Sequence, residues 1–286
     1  MLKLTPITFD KFIRDLNPFN KKTVNFDLSQ VQFISPAVLT QLCSLCHALH
    51  KENKQIFIKV SKEIGPYMAR TGFVKSIENI AQIGPKEDIK THKYEEMHGL
   101  NPLLVEVTKI DNIAVLPELL DQIVWVLNFE LKYPKHDAYD IVTAISEVCQ
   151  NTLDHNREIP AFIAMQSYFN ENNKFLEIGI SDYGAGLSAT LSKNEKNPKM
   201  RTDLEAINYA TKPRTSEYDD PTRGTGLYHL MRFTYRNCGL VQIHSGKGKI
   251  RQRRKKRTEW NSTAPYLPGV HVVLEFGTKK YLLAGT

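Results

Sequence analysis

Three short segments carry residue types that could do chemistry together. Glu147, Asn151 and His155 stand four residues apart, and a helix at about 100° per residue stacks them along one line. In the stretch 140–156 the other arc holds Ile141, Val142, Ile145, Val148, Cys149, Thr152 and Leu153, which predicts an amphipathic helix with a strongly polar side. A solvated helix face has the same pattern, so this line needs support from elsewhere. The second segment is the apolar run Phe175 to Ile180, which leads into Ser181-Asp182-Tyr183-Gly184-Ala185-Gly186. A carboxylate at a strand end can accept a hydrogen bond from a flat ring, and the glycines beside it let backbone approach closely. A plain turn has the same string. The third segment, Arg223-Gly224-Thr225-Gly226-Leu227, opens a helical pattern through Leu230, Met231 and Phe233. Glycines there free the helix's first amides to face anionic phosphates, which the helix dipole also attracts.

Taken in order, ExxxN, DxGxG and GxG resemble the N, G1 and G2 boxes of the GHKL ATPases, whose nucleotide-binding unit is the Bergerat fold. The resemblance covers about 117–276 and is nearest to the anti-sigma-factor serine kinases, with 117–131 as a preceding apolar helix and Gly269 with 270–276 as a closing strand. It implies ATP with Mg²⁺. By position, Glu147 would polarise the hydroxyl or water that attacks the γ-phosphate, Asn151 would hold Mg²⁺, and His155 would contact phosphate. Asp182 would accept from the adenine amino group, Gly184 and Gly186 would line the base pocket, and Gly224, Thr225 and Gly226 would cradle phosphates. Mg²⁺ suits such a set because it takes oxygen ligands shared between one or two side chains and the nucleotide. No P-loop string is present.

These boxes need a sheet and helices to position them. About 188–222, between the two glycine elements, is long and polar for a simple connection and is expected to act as a lid. Upstream, Val24, Phe26 and Leu28 alternate as a strand does, followed by Val31 and Phe33. Ser35-Pro36 is a good helix start, and a helix is expected from Pro36 to about Glu52 with Leu39, Leu42, Cys43, Cys46 and Leu49 as its buried stripe. A strand over 55–60 and a helix over 62–70, stopping near Gly72, complete a small α/β unit.

Residues 24–73 resemble the STAS fold of anti-sigma-factor antagonists: a strand with Asp27-Leu28, the turn Phe33-Ile34-Ser35-Pro36, the helix after it, and Arg70-Thr71-Gly72-Phe73. Where that family carries its phosphorylated serine this chain has Pro36, and Ser35 is the neighbouring hydroxyl. A unit kept for docking a protein partner is the expectation. The sparse stretch 76–103 reads as a connection. The expected organisation is therefore a STAS-like unit over 1–100 and a GHKL unit over 101–286, the latter an α/β sandwich with a mixed sheet covered by helices on one face.

Composition sets the outer bounds. With 286 residues, 41% hydrophobic and 24% charged, the chain is in the range of globular proteins and long enough for two units. The first 20 residues have scattered charges instead of an apolar signal core, and no run of about 18 apolar residues occurs, so a cytoplasmic, non-membrane chain is expected. Cys43, Cys46, Cys149 and Cys238 read as reduced thiols. Cys43-Ser44-Leu45-Cys46-His47 matches a haem-attachment string, and Cys43, Cys46, His47 and His50 would share a helix face as metal ligands do, but the leucines among them favour plain packing.

The net charge of +7 is local: eight Lys or Arg fall between Lys247 and Arg257, and removing those eight leaves −1. Flanked by alternating apolar residues, they read as a basic hairpin that is either a solvated loop or a site for nucleic acid or an acidic protein surface. Two functions follow from the resemblance. One is a regulatory switch acting on a partner, with serine kinase or slow ATPase activity. The other is an ATP-closed homodimeric clamp gripping nucleic acid through 247–257. A histidine kinase is disfavoured, since no helical hairpin with a phosphoacceptor histidine precedes the ATPase boxes.

Overall fold

The structure, a computed structural model, describes residues 2–89, 104–155, 159–170, 173–213, 215, 224–237, 239–253, 259–261 and 263–278, with the side chains at 154, 155, 170, 173, 259 and 260 left aside. Arg223, Cys238 and the basic residues 254–257 therefore lie outside it, as does the boundary expected near 100.

The first half comprises β1 (Leu2–Leu4), α1 (Thr8–Leu16), β2 (Thr23–Leu28), β3 (Val31–Ile34), α2 (Pro36–Lys51), β4 (Gln55–Val60), α3 (Gly65–Arg70), α4 (Phe73–Ile77) and β5 (Gln82–Gly84). Strands β2, β4 and β5 form a parallel sheet in the order β2-β4-β5, while β1 pairs with β3 in parallel. Strand β2 alternates exposed and buried residues, as its sequence period requires. The helix expected over 62–70 begins three residues later, and the stretch expected to be a connection holds the end of α4 and the third parallel strand, β5.

The second half contains β6 (Leu104–Ile110), α5 (Leu116–Trp125), α6 (Lys135–His155), β7 (Ala161–Asn170), β8 (Asn173–Ser181), α7 (Gly186–Leu191), α8 (Asp203–Ala210), α9 (Gly226–Arg236), β9 (Leu240–Gly246), β10 (Gly248–Arg253), β11 (Glu259–Asn261) and β12 (Leu267–Gly277). Its seven strands form one sheet in the order β11-β10-β9-β12-β8-β7-β6. The expectation of a mixed sheet is corrected here, because every neighbouring pair in it is antiparallel.

A second correction concerns the faces. Side chains of successive strand residues point to opposite sides. On β8, Leu176, Ile178 and Ile180 join the core shared with α5, α6 and α9, whereas Glu177, Gly179 and Ser181 face α2. The sheet is thus covered on both faces, with the first half packed on the second face. Phe162, Ala164, Val107 and Leu267 belong to the same buried cluster as Val24, Phe26 and Leu42. Polar ties reinforce the junction: Lys249 Nζ donates to Pro6 O at 3.0 Å and to Asp10 Oδ2 at 2.6 Å, and Val107 N–H donates to Thr71 O at 2.7 Å.

Helix α2 explains how this is possible. Thirteen of its 16 residues are buried, so it has two packed sides instead of one stripe. The expected stripe fills the small core, while Ala37 and Thr40 turn to the large sheet. Gly179 accepts that contact because it lacks a side chain; a Cβ there would lie 2.4 Å from Ala37 Cα. Thr40 Oγ1 and Ser181 Oγ share a hydrogen bond of 3.1 Å. Cys43 and Cys46 are fully buried in the small core, where burial pushes both thiol pKa values up, and His47 Nε2 is 3.1 Å from Ser76 O. Ser35, the neighbouring hydroxyl in the STAS-like reading, is 0% exposed. A phosphate-transferring site reaches it only after α2 leaves the sheet.

Candidate functional site

A cleft opens at one end of the large sheet, between α6, α7 and the start of α9, with an empty volume of about 820 Å³ that includes open solvent. Three segments far apart in sequence meet around it: Val148, Asn151 and Thr152 from α6; Ile180, Asp182, Gly186 and Leu187 from the end of β8 and the start of α7; and Gly224, Gly226 and Leu227 from the turn into α9. Apolar side chains supply most of the walls, so the few polar groups fix orientation.

Asp182 is 5% exposed. Burial pushes its carboxyl up to about 6, against the lowering pull of the Gly184 and Val270 amides. The Gly184 N–H donates to Asp182 Oδ1 at 2.8 Å. Gly184 accordingly shapes the carboxylate's turn and is not part of the cleft wall, whereas Gly186 is. Asn151 faces the cleft and its side chain makes no hydrogen bond to any described residue.

Glu147 lies one turn before Asn151, beside the cleft and outside its wall. Thr225 Oγ1 donates to Glu147 Oε2 at 2.7 Å. The approach of α9 to α6 that permits this depends on Gly226, where a Cβ would sit 2.9 Å from Glu147 Cβ. Gly224 O accepts from Thr215 N–H at 3.2 Å, tying the second glycine turn to the end of the long connection. Helix α9, 11 residues long, thus begins at the cleft with its first amides next to Gly224. Of the expected site residues, Asn151, Asp182, Gly186, Gly224 and Gly226 border one cavity, Glu147 and Thr225 form a bonded pair at its edge, and the His155 side chain lies outside the described residues.

Several residues escaped the sequence reading. Ser245 on β9 donates to Gly269 O at 2.8 Å and accepts from Leu187 N–H at 3.0 Å, pinning β12 and α7 together behind Asp182. Its signal is faint: a serine after the apolar alternation Val241, Ile243. Thr215 lines the cleft and donates through Oγ1 to Ala210 O at 3.1 Å; a lone threonine in a polar stretch gives no signal. Part of the expected lid is ordered as α7 and α8. Asp203 at the start of α8 accepts from Lys247 N–H at 2.8 Å, which fastens α8 to the turn between β9 and β10.

The described basic residues spread along β10, from Lys247 in the turn at the Ser245 end to Arg253 at the other end. Strand β10 runs from Gly248, next to Ser245, to Arg253, opposite Leu240. Leu240 in turn pairs with Glu275, which Arg253 contacts. Among the described residues, no three His, Cys, Asp or Glu side chains gather as a metal site would need, and no helix is long and apolar enough to cross a membrane. No protein-family model matches the sequence, and no curated protein does either.

Proposed function

We propose that this chain is a cytoplasmic Mg-ATP-binding regulatory protein of the GHKL type, with a STAS-like first half, that switches a protein partner and has serine kinase or slow ATPase activity. The observation that carries this reading is the convergence of Asn151, Asp182, Gly186, Gly224 and Gly226, drawn from three separate sequence boxes, on one cleft.

The chain's own groups fit the ligand. Asp182 is a buried acceptor in the cleft wall, suited to the amino group of a purine. The first amides of α9 suit phosphates, which its dipole also favours. Asn151 brings an oxygen that no described residue engages, a fitting ligand for Mg²⁺. When bound, the metal would neutralise charge developing on the phosphates. Thr225 keeps Glu147 oriented, and Glu147 takes the proton of the attacking hydroxyl or water as that oxygen bonds the terminal phosphorus and the diphosphate leaves. His155 is assigned to phosphate on its sequence position alone.

Calorimetry with ATP and Mg²⁺ tests the core of this reading. The wild type should bind, Asp182→Asn should bind more weakly, and Glu147→Gln should bind equally while losing about 10²-fold in turnover. Equal affinity of the wild type and Asp182→Asn removes the assignment of the base pocket. With γ-³²P-ATP and a co-purified partner, label on the partner supports the kinase version, and label released only as free phosphate leaves the ATPase version.

A further inference from the structure

Ser245, one residue before the end of β9, is 2% exposed and outside the cleft wall, so whatever it does for a ligand it does through its partners. Its Oγ accepts from the N–H of Leu187, a cleft residue, and donates to Gly269 O at 2.8 Å. The second bond reaches beyond Gly269. Its carbonyl oxygen and the Val270 N–H belong to one planar trans peptide and point in opposite directions. The oxygen faces Ser245, and the N–H faces the Asp182 carboxyl, which it holds together with the Gly184 N–H. Val270 O in turn accepts from Asp182 N–H at 3.0 Å. Gly269 has a φ of 86°, and a Cβ there would lie 2.2 Å from Asp182 O and 2.5 Å from Asp182 Oδ1, so this peptide sits directly against the aspartate. The register of β12 on β9 shifts between Leu267 and Val270, which interrupts the regular ladder where Gly269 lies. A side-chain donor holds the peptide at that interruption.

We propose that Ser245 is a positioning residue for base recognition: its hydroxyl fixes the plane of the Gly269–Val270 peptide and so aims the amide that keeps Asp182 an ionised acceptor. This rests on the reading of Asp182 as the acceptor for a ring amino group. At a buried carboxyl, burial favours the neutral acid, and each N–H bonded to the anion favours the charged form. Without the hydroxyl, Gly269 O loses a donor, the peptide is free to turn, and the Val270 N–H leaves the carboxylate. The carboxyl then keeps its proton to higher pH. A protonated carboxyl turns one of its two acceptor oxygens into a donor, so affinity for an amino-bearing base falls as pH drops through the midpoint. Other titratable groups lie on the elements around Asp182. Burial lowers His271 on β12 and His244 on β9 to about 3, and both are on the sheet face turned to the first half. Burial raises the neighbouring Tyr183. Helix α7 carries no titratable side chain, Asp203 of α8 accepts from Lys247 N–H, Glu147 of α6 accepts from Thr225, and His229 follows Thr225 by one turn on α9.

The test follows the carboxyl directly, by ¹³C NMR of the full chain without nucleotide, with the Asp182 resonance assigned by its loss in Asp182→Asn. The midpoint should be about 6 in the wild type and about one pH unit or more higher in Ser245→Ala. In calorimetry with ATP and Mg²⁺, Ser245→Ala should bind more weakly than the wild type. That loss should be about threefold or more greater at about pH 6.5 than at about pH 8.5, a ratio from which the nucleotide's own titration cancels. In the Asp182→Asn background, adding Ser245→Ala should cost the same at both pH values. If Ser245→Ala does not unfold cooperatively in denaturant, Ser245→Cys, close in size and a weak donor, takes its place in both measurements. Failure of both variants to fold, an unmoved midpoint, a loss equal at both pH values, or a pH-dependent loss that survives in Asp182→Asn would overturn the proposal. If the wild type binds no ATP while the midpoint moves, the nucleotide reading falls and the tie between Ser245 and Asp182 stands. ATP binding with an unmoved midpoint sinks the role of Ser245 alone.

Discussion

The two faces of the seven-stranded sheet each bury a carboxylate, one from β8 and one just past its end, five residues apart. Glu177 faces α2, and Asp182 faces the cleft. Burial raises both, Glu177 to about 7 and Asp182 to about 6. Their surroundings differ. Glu177 accepts from the Ala37 N–H at 3.2 Å, at the N-terminus of a helix buried in the core, and does not line the cleft. Asp182 is held by two backbone amides and borders a cavity. A buried, raised carboxyl is therefore no sign of a binding site by itself. What separates the two is whether the space next to the group is filled by the protein.

The face filled by α2 should be the more fragile to added volume. Gly179→Ala places a methyl group against backbone, which cannot swing aside, and about 3 kcal/mol of stability should be lost in chemical denaturation. A loss under about 1 kcal/mol would mean that α2 is loosely seated and that the two halves are separable.

The next test uses pH. The folded-state pKa of Glu177 lies above the ordinary 4.5, so the native state holds its proton more tightly than the unfolded chain does. Stability from this group is therefore highest below about pH 4.5, falls as pH rises toward 7, and stays low above that. Glu177→Gln keeps an acceptor for Ala37 and removes the titration. Relative to the wild type it should gain about 3 kcal/mol between pH 4 and pH 8, with nucleotide affinity unchanged. A flat difference across that range would show the carboxyl to be solvated.

Much of this arrangement is visible in the residues. The polar line on α6, the carboxylate-glycine turn and the glycine turn before α9 are local patterns, and periodicity places each on its element. The two-sided burial of α2 is less visible, because hydropathy marks Leu39, Leu42 and Leu49 but passes over Ala37 and Thr40, whose small size is what lets the sheet approach. The sheet's antiparallel direction is hidden for a related reason: alternation sets which face a residue takes, and strand direction is set by connections between distant segments. Ser245 and Thr215 act through backbone partners that no sequence spacing marks.

On the open face, replacing the carboxylate should move stability and affinity in opposite directions. Asp182 is also raised, from 3.8 to about 6, so Asp182→Asn should stabilise the apo protein progressively as pH rises through that window. The same change turns part of an acceptor into a donor and should weaken ATP binding about 10- to 100-fold, roughly 1.4 to 2.7 kcal/mol. Glu177→Gln should share the first effect and lack the second. If both variants lose affinity, the two faces are coupled through β8 and the contrast between them is one of degree.

The smallest effect is expected at the far end of the sheet. Strand β9 separates Ser245, which pins the cleft, from Leu240, which pairs with Arg253, by five residues, or about 17 Å at a strand's rise. At physiological salt, charges that far apart across solvent are largely screened. Changing Arg253, together with the Arg254, Lys255, Lys256 and Arg257 that follow it in sequence, to alanine should leave ATP affinity within about twofold of wild type. The same variant should lose any salt-sensitive binding of RNA or DNA that the wild type has, by anisotropy with a labelled oligonucleotide. A basic segment that answers to nucleic acid and not to ATP is a separate surface on one scaffold. A segment whose loss weakens both would instead support the clamp, because only a nucleotide-dependent rearrangement joining the two ends of the sheet could transmit the effect over that distance.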